Sequence, residues 1–251
     1  MKVLITGASS GIGRSIAMEY AKLGSDLVLV ARNEDKLNEV KDLIGDSCKV
    51  EVCSIDLTSV DNCKKLHSMY RDIDILINNA GMGVFGEFSN SSLDKEIEMI
   101  NTNVTAMHTL MKLYLSDMVK KEKGQILNVA SIAGFMPGPL MSTYYASKNY
   151  VVSLSEGVRE ELRKMKSKVN LSILCPGPVR TNFDNVAGVS FSLSGKNSDD
   201  VARYTVKCMN KGRFYIVPGL DIKILKFISG IVPNSLIARV VYYQQKKKMS
   251  E

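Results

Sequence analysis

The stretch that decides the fold is Lys2-Val-Leu-Ile-Thr-Gly-Ala-Ser-Ser-Gly-Ile-Gly13. Its apolar run, Val3–Ile5, is typical of a buried strand, and helical periodicity extends from Gly13 to Leu23. A glycine-rich turn between a strand and a helix lets the backbone approach a pyrophosphate, which the free N–H groups of the helix N-terminus can bind. The glycines at 7, 11 and 13 therefore predict a phosphate-binding turn, although such a turn taken alone is often only a turn.

Outside this stretch, strand-like and helix-like segments keep alternating. The further expected strands are Asp26–Ala31, Val50–Ser54, Ile73–Ile77, Gln125–Val129, Val169–Leu174 and Phe214–Val217. The further expected helices are Glu34–Ile44, Ser59–Tyr70, Leu93–Val119, Tyr144–Met165 and Ser198–Asn210. Near-continuous apolar strands between helices predict an α/β protein, a Rossmann-type doubly wound parallel sheet with helices on both faces. With no internal repeat or linker, we expect one domain over residues 1–251, extended by C-terminal amphipathic helices at about 220–248.

Composition and charge narrow the class of protein. The chain is 45% hydrophobic and 24% charged, as in ordinary globular proteins. Its five cysteines form no CxxC pair, so we expect free thiols in a reducing compartment and no metal site. The first strand begins almost at the N-terminus and no apolar run is long enough to span a membrane, so we expect a cytoplasmic protein without a signal peptide. Much of the net charge of +7 lies in the tail, Leu220–Glu251, which disfavours a nucleic-acid partner for the domain.

Three further motifs follow the glycine turn in a fixed order. They are Asn78-Asn79-Ala80-Gly81 after the fourth strand, Tyr144-x-x-x-Lys148, and Pro176-Gly177 after the sixth strand. Together with the glycine turn they resemble the short-chain dehydrogenase/reductase family over residues 1 to about 217. The resemblance implies an oxidoreductase that interconverts a ketone or aldehyde and an alcohol by hydride transfer with a nicotinamide cofactor. It also implies a homodimer or homotetramer.

The end of the second strand, Ala31-Arg32-Asn33, indicates which cofactor is used. Enzymes that take NAD place an acidic residue here to bind the ribose 2′-hydroxyl. Ala31 cannot repel a 2′-phosphate and Arg32 can bind it through two hydrogen bonds, so we predict NADP(H); the alternative is that Arg32 is a solvated surface residue. The expected cofactor contacts, several of them implied by the resemblance alone, are Gly7, Ser9, Ser10, Gly11, Ile12, Gly13, Arg32, Asn33, Asp56, Leu57, Asn79, Ala80, Gly81, Tyr144, Lys148, Pro176, Gly177, Val179 and Thr181.

The catalytic prediction centres on Tyr144. Lys148 lies four residues later, on the same face of a helix, where its charge would lower the phenol pKa from about 10. Ser131, at the end of the fifth strand, would hold the substrate oxygen beside the phenol. The resemblance implies that Asn103 holds a water that relays the proton through Lys148. Tyr145 and Asn101 are the alternatives to Tyr144 and Asn103. A catalytically silent dinucleotide sensor is the alternative to an enzyme.

Two segments can form the substrate pocket, residues 134–141 and a mobile lid at about 182–197. Their apolar residues indicate a small apolar carbonyl or alcohol substrate. The stripes of the C-terminal helices, one of which carries Ile224, Ile228 and Ile231, allow two interpretations. They either cover the domain or a subunit interface, or rest weakly on an anionic membrane surface. His67 is expected to face solvent.

Overall fold

The protein is described by a computed structural model over residues 1–180 and 195–247. Its strands are β1 (Lys2–Thr6), β2 (Asp26–Ala31), β3 (Val50–Ser54), β4 (Ile75–Asn78), β5 (Gln125–Val129), β6 (Asn170–Leu174), β7 (Val179–Arg180), β8 (Lys196–Asn197) and β9 (Tyr215–Ile216). Its helices are α1 (Gly11–Lys22), α2 (Glu34–Ile44), α3 (Val60–Met69), α4 (Leu93–Ile100), α5 (Met107–Lys120), α6 (Ser142–Lys164), α7 (Ser198–Met209), α8 (Leu220–Ser229) and α9 (Asn234–Lys247).

Seven of the strands form one sheet in the order β3-β2-β1-β4-β5-β6-β9. Every neighbouring pair is parallel, and Val3 of β1 pairs with Leu27 on one side and Ile75 on the other. The strand order reverses beside β1, and a doubly wound sheet binds ligands in the crevice that this reversal leaves at the carboxyl ends of its strands. The predicted fold class is confirmed.

Two apolar layers explain why the strands are apolar almost without interruption. Side chains alternate between the faces of a strand, so Ile5 packs with Ile16 and Tyr20 on one face while Leu4 packs with Tyr114 on the other. All five of these residues are nearly or fully buried. Burying both faces of the sheet requires helices on both sides, which a half-exposed sheet would not.

Polar residues at the helix starts account for several of the predicted boundaries. Asn33, Ser59, Ser92 and Asn197 are N-caps whose side chains each accept a hydrogen bond from a backbone N–H in the first turn. The helix expected over Leu93–Val119 is α4 and α5 joined by a π-helical segment at Asn101–Ala106. Such segments are rare and occur often at functional sites.

His67 does not face solvent as expected. It is 8% exposed, its Nε2 lies 2.8 Å from Oδ2 of Asp117, and its ring packs edge-on against Tyr114. The reason is that α3 packs on α5, so the polar surroundings of His67 in the sequence conceal a contact between helices.

The C-terminal helix pair, α8 and α9, packs over the carboxyl end of the sheet. Ile222 and Val241 are buried, and Lys226 lies over the rings of Phe135 and Tyr215. These contacts attach α8 to the segment that follows β5 and to the edge strand β9. Among the described residues, no helix is long and apolar enough to cross a membrane.

Candidate active site

A cavity of about 1180 Å³ lies at the carboxyl end of the sheet. It extends from the turn after β1, past the ends of β2 and β4, to Ser131 and Tyr144, and then to the C-terminal helix pair. Most of the predicted site residues line it: Gly7, Ser9, Ser10, Gly11, Ile12, Arg32, Asn33, Asp56, Leu57, Asn79, Ala80, Gly81, Ser131, Tyr144, Lys148, Pro176, Gly177 and Val179. One continuous space therefore joins the glycine turn to the predicted catalytic residues.

The glycine turn is held tightly against the start of the neighbouring loop. Gly7 has φ +64°, and a Cβ at this position would lie 2.9 Å from Cα of Ala80. Asn79 Nδ2 donates to the carbonyls of Thr6 and Gly7 at 3.0 and 3.1 Å. The space over the turn and the uncapped start of α1 at Ser10 fit the pyrophosphate of a dinucleotide.

Gly13 does not line the cavity, although it was predicted to contact the cofactor. A Cβ on Gly13 would lie 2.3 Å from the carbonyl oxygen of Gly7. The residue is a glycine because α1 packs directly on the turn, so its effect on a ligand is indirect.

The far end of the cavity carries two cations. Arg32 lines it with a side chain that is 62% exposed and forms an ion pair with Glu98 of α4. Lys36 lines it too, and its backbone N–H donates a hydrogen bond to Oδ1 of the N-cap Asn33 at 2.8 Å. We did not predict Lys36, although its place in the first turn of α2, four residues after Arg32, is a signal that the sequence contains. β2 ends at Ala31, which occupies the position where enzymes that take NAD have an acidic residue.

Ser131 and Tyr144 are hydrogen-bonded through their side chains, although they are thirteen positions apart in the sequence. Lys148 Nζ lies 5.8 Å from the centre of the Tyr144 ring and donates to the carbonyl of Val129 at 3.0 Å. Tyr145 takes another direction, where its hydroxyl accepts from Nε2 of Gln245 at 3.2 Å. The geometry therefore groups Ser131 with Tyr144 and Lys148, and separates Tyr145 from them.

The pKa of Tyr144 does not follow the sequence expectation. Burial raises the pKa of Tyr144 to about 12, and the hydrogen bond with Ser131 only partly offsets this. Burial also lowers the pKa of Lys148 to about 8. Removal from water disfavours the charged form of both groups, so the phenol pKa is raised and not lowered as the sequence predicts. Tyr144 is therefore protonated at neutral pH and carries a phenolic proton.

Asn103 lies in the π-helical segment and is 2% exposed. Its Oδ1 accepts from Met82 N at 2.9 Å, while its Nδ2 donates to Met82 O at 2.9 Å and to Ser147 Oγ at 3.1 Å. Neither Asn103 nor Asn101 lines the cavity, whereas Thr102 does. Both amide hydrogens of Asn103 are thus used in hydrogen bonds to Met82 and Ser147, so the side chain supports the loop after β4.

The segment after β6 is described only in part. Thr181, a predicted cofactor contact, and residues 182–194 of the predicted lid lie outside the described residues. The two ends of this stretch pair as β7 and β8, with Val179 opposite Lys196.

The C-terminal helix pair forms an apolar wall of the cavity that the sequence did not predict. Its lining side chains are almost all apolar: Ile222, Leu225, Ile228, Val232, Leu236, Ile237, Val240 and Val241, with Gln244 and Gln245. From the predicted segment 134–141, Met136 and Met141 contribute as well. The stripes of these helices were visible in the sequence, but spacing alone does not show which stripe faces a cavity.

Comparison with known proteins identifies the family. The family model for short chain dehydrogenases matches residues 1–188. The chain belongs to the short-chain dehydrogenase/reductase family. The C-terminal helix pair lies beyond the matched residues, so the family model covers the glycine turn, Ser131 and Tyr144 but not the apolar wall.

Individual relatives of this short-chain dehydrogenase/reductase cover most of its length. It is 32% identical to an 11-beta-hydroxysteroid dehydrogenase-like protein of Arabidopsis thaliana, over 94% of this chain and 82% of the relative. A short-chain dehydrogenase from Sphingobium yanoikuyae in complex with NADPH is similar in structure, with a TM-score of 0.82, 32% identity, and 87% and 88% of the two chains covered. A short chain dehydrogenase/reductase from Burkholderia phymatum in complex with NAD has a TM-score of 0.82 and 28% identity, over 90% and 91%. The chain is thus a dinucleotide-dependent oxidoreductase.

Proposed function

We propose that this chain is an NADPH-dependent reductase of bulky, apolar ketones or aldehydes, with Tyr144 as the general acid. One observation carries the proposal. The glycine turn, the hydrogen-bonded pair Ser131 and Tyr144, and the apolar wall of the C-terminal helix pair all line a single cavity. A polar reaction centre inside a mostly apolar cavity is the arrangement expected of a site for an apolar substrate.

Charge at the far end of the cavity supports NADPH over NADH. Arg32 and Lys36 both line this end, and a 2′-phosphate is an anion that two cations attract. The start of α2 adds the positive end of a helix dipole. The Sphingobium relative is in complex with NADPH, whereas the Burkholderia relative is in complex with NAD. Because these two relatives bind different dinucleotides, the choice between NADPH and NADH in this chain has to be argued from its own residues.

In the reduction that we propose, a bound nicotinamide dinucleotide supplies the hydride. The residues of the chain move the proton and hold the substrate. Tyr144, whose pKa burial raises to about 12, donates its phenolic proton to the carbonyl oxygen as charge develops on it. Ser131 lies in hydrogen-bond contact with Tyr144 and holds the same oxygen. Lys148, fixed by the carbonyl of Val129, places a positive charge under the ring of Tyr144.

The apolar wall supports a substrate with a large hydrocarbon part. Burial of apolar substrate surface against such a wall stabilises binding by roughly 25 cal/mol per Å². The name of the Arabidopsis relative also refers to a hydroxysteroid, a bulky apolar alcohol. The alternative of a silent dinucleotide sensor is disfavoured, because Ser131, Tyr144 and Lys148 are all present and brought together. The homo-oligomer that the family resemblance implies stays a prediction.

The cofactor preference is tested by titrating the full chain with NADPH and NADH and following nicotinamide fluorescence. We expect tighter binding of NADPH, and Arg32→Ala should reduce this preference by about 10- to 100-fold, since hydrogen bonds to charged groups contribute roughly 1.5–3 kcal/mol. Turnover of apolar ketones, aldehydes and 3-oxoacyl thioesters is then followed as loss of NADPH absorbance. A preference for NADH in the unmodified chain would contradict the cofactor assignment.

A further inference from the structure

The C-terminal helix pair is apolar on its outer side as well as on the side that lines the cavity. Among the described residues, nine of the nineteen large apolar side chains that are exposed lie in this helix pair or in the turn that joins its helices. Leu220, Phe227 and Ile231 are 75%, 71% and 68% exposed. A concentration of this kind on one face of a protein marks an interaction surface.

Helical spacing places these side chains in two outer stripes. The stripe of α8, continued by the turn after it, consists of Leu220, Ile224, Phe227 and Ile231, and the stripe of α9 consists of Leu236, Val240 and Tyr243. Steps of four and three residues keep each stripe on one side of its helix. Ile222 and Val241, on the opposite sides, are buried. The proposed reaction accounts for the residues that line the cavity, and it leaves the other exposed members of the stripes without a role: Leu220, Ile224, Phe227, Ile231 and Tyr243.

Cations flank both stripes. Lys223 is exposed beside the stripe of α8, and Arg239 and Lys246 are exposed beside that of α9. The one acidic residue of the helix pair is Asp221, which lies 3.5 Å from Lys196 in an ion pair. The outer face of the helix pair is therefore apolar and net positive.

We propose that this outer face docks on an anionic lipid surface. An apolar stripe flanked by Lys and Arg is the pattern of a helix that lies in the membrane interface, with its apolar side chains among the acyl chains and its cations at the headgroups. A second copy of the chain is a poorer match. A symmetric contact would bring Lys223, Arg239 and Lys246 against the same cations of the other copy.

Two residues connect this surface with the cavity. Leu236 and Val240 belong to the outer stripe of α9 and also line the cavity. The docked face thus borders the apolar wall, so an apolar substrate dissolved in the lipid can enter the cavity without crossing water. This last step rests on the proposed function, whereas the docking itself does not.

The test is co-sedimentation of the full chain with vesicles, without cofactor or substrate. Vesicles of phosphatidylcholine alone are compared with vesicles that contain about 30% phosphatidylserine, at low salt and at about 0.5 M NaCl, since salt screens the attraction of cations to anionic lipid. We expect binding to the anionic vesicles that salt weakens. A failure to bind either kind of vesicle overturns the proposal, and leaves the reductase assignment untouched.

Two variants make the test specific. Ile224→Asn with Phe227→Gln, both outside the cavity lining, should lower binding to anionic vesicles about tenfold or more, because both apolar side chains are lost. The matched control is Phe88→Gln with Leu93→Asn, two apolar side chains that are 68% and 72% exposed, against 71% for Phe227 and 59% for Ile224, but lie elsewhere. The control should bind as the unmodified chain does, and NADPH titration should show both variants folded. The proposal is overturned if both variants bind vesicles equally well. It is also overturned if the Ile224 and Phe227 variant loses a dimer of the chain and not its binding to vesicles.

Discussion

Two regions line one cavity but are built in different ways. They are the glycine turn with its neighbouring strand ends, and the C-terminal helix pair. The turn is made of short motifs whose geometry follows from local chemistry, such as the positive φ of Gly7 and the clamp formed by Asn79. The helix pair has no motif, and its inner side forms part of the site only because the fold brings it to the cavity that Tyr144 also lines. Under the proposed function, we expect the first region to determine the type of reaction and the second to determine the substrate.

The largest effect is expected at the point where the two regions meet. Tyr144→Phe removes the proton donor and should lower kcat by about 10²- to 10⁴-fold, while NADPH still binds. The measurement is kcat with the best carbonyl substrate, together with a fluorescence titration of NADPH. Tyr145→Phe is the matched control, because its hydroxyl bonds to Gln245 and not to Ser131. An equal loss of kcat in both variants would contradict the assignment of Tyr144.

A change of pH should separate the charge of Lys148 from the proton of Tyr144. The pKa of Lys148 is about 8 and that of Tyr144 about 12, so rising pH removes the lysine charge first while the phenol stays protonated. We expect kcat for reduction to be constant below about pH 7 and to fall roughly tenfold per pH unit above about pH 8. Measuring kcat from about pH 6 to 10 tests this, and Lys148→Arg, which keeps its charge, should move the fall to higher pH. A flat profile to about pH 10 would exclude a role for the lysine charge.

A polar group in the apolar wall should affect the substrate and leave the cofactor unaffected. Leu225 lines the cavity and is no part of the outer stripes. Leu225→Gln should lower kcat/KM for an apolar carbonyl about tenfold with an unchanged Kd for NADPH, because only buried apolar contact is lost. Leu225→Met, which keeps the apolar character and the approximate volume, serves as the control. A parallel change in the NADPH Kd would show that the two regions are not separable.

The smallest effect is expected at the far end of the cavity, where Glu98 pairs with Arg32. Glu98→Gln frees the guanidinium for the 2′-phosphate and should tighten NADPH binding by up to about fivefold, the range of an exposed ion pair. The NADH Kd should not change. Glu160→Gln, which breaks an exposed ion pair with Arg163 on α6, far from the cavity lining, is the control. Weaker NADPH binding in the Glu98 variant would show that this carboxylate supports the cofactor site.

Local sequence was enough for the elements on which the site is built. β2, α2, β3 and β5 have the predicted bounds, because apolar runs between polar caps and glycines leave little freedom. The motif residues could be assigned to one site because the carboxyl ends of parallel strands meet at one edge of the sheet. The π-helical segment around Asn103 lacked a comparable signal.

Sequence by itself determined the doubly wound fold, the glycine turn and the residue types of the proposed reaction centre, since each depends on local spacing and chain order. The tertiary structure alone decided that Tyr144 and not Tyr145 meets Ser131, that burial raises the pKa of Tyr144, and that α8 and α9 close the cavity. These are long-range packing outcomes. Spacing places a side chain on a face of its own helix, but only the packing of distant elements determines what that face meets and how much water remains there.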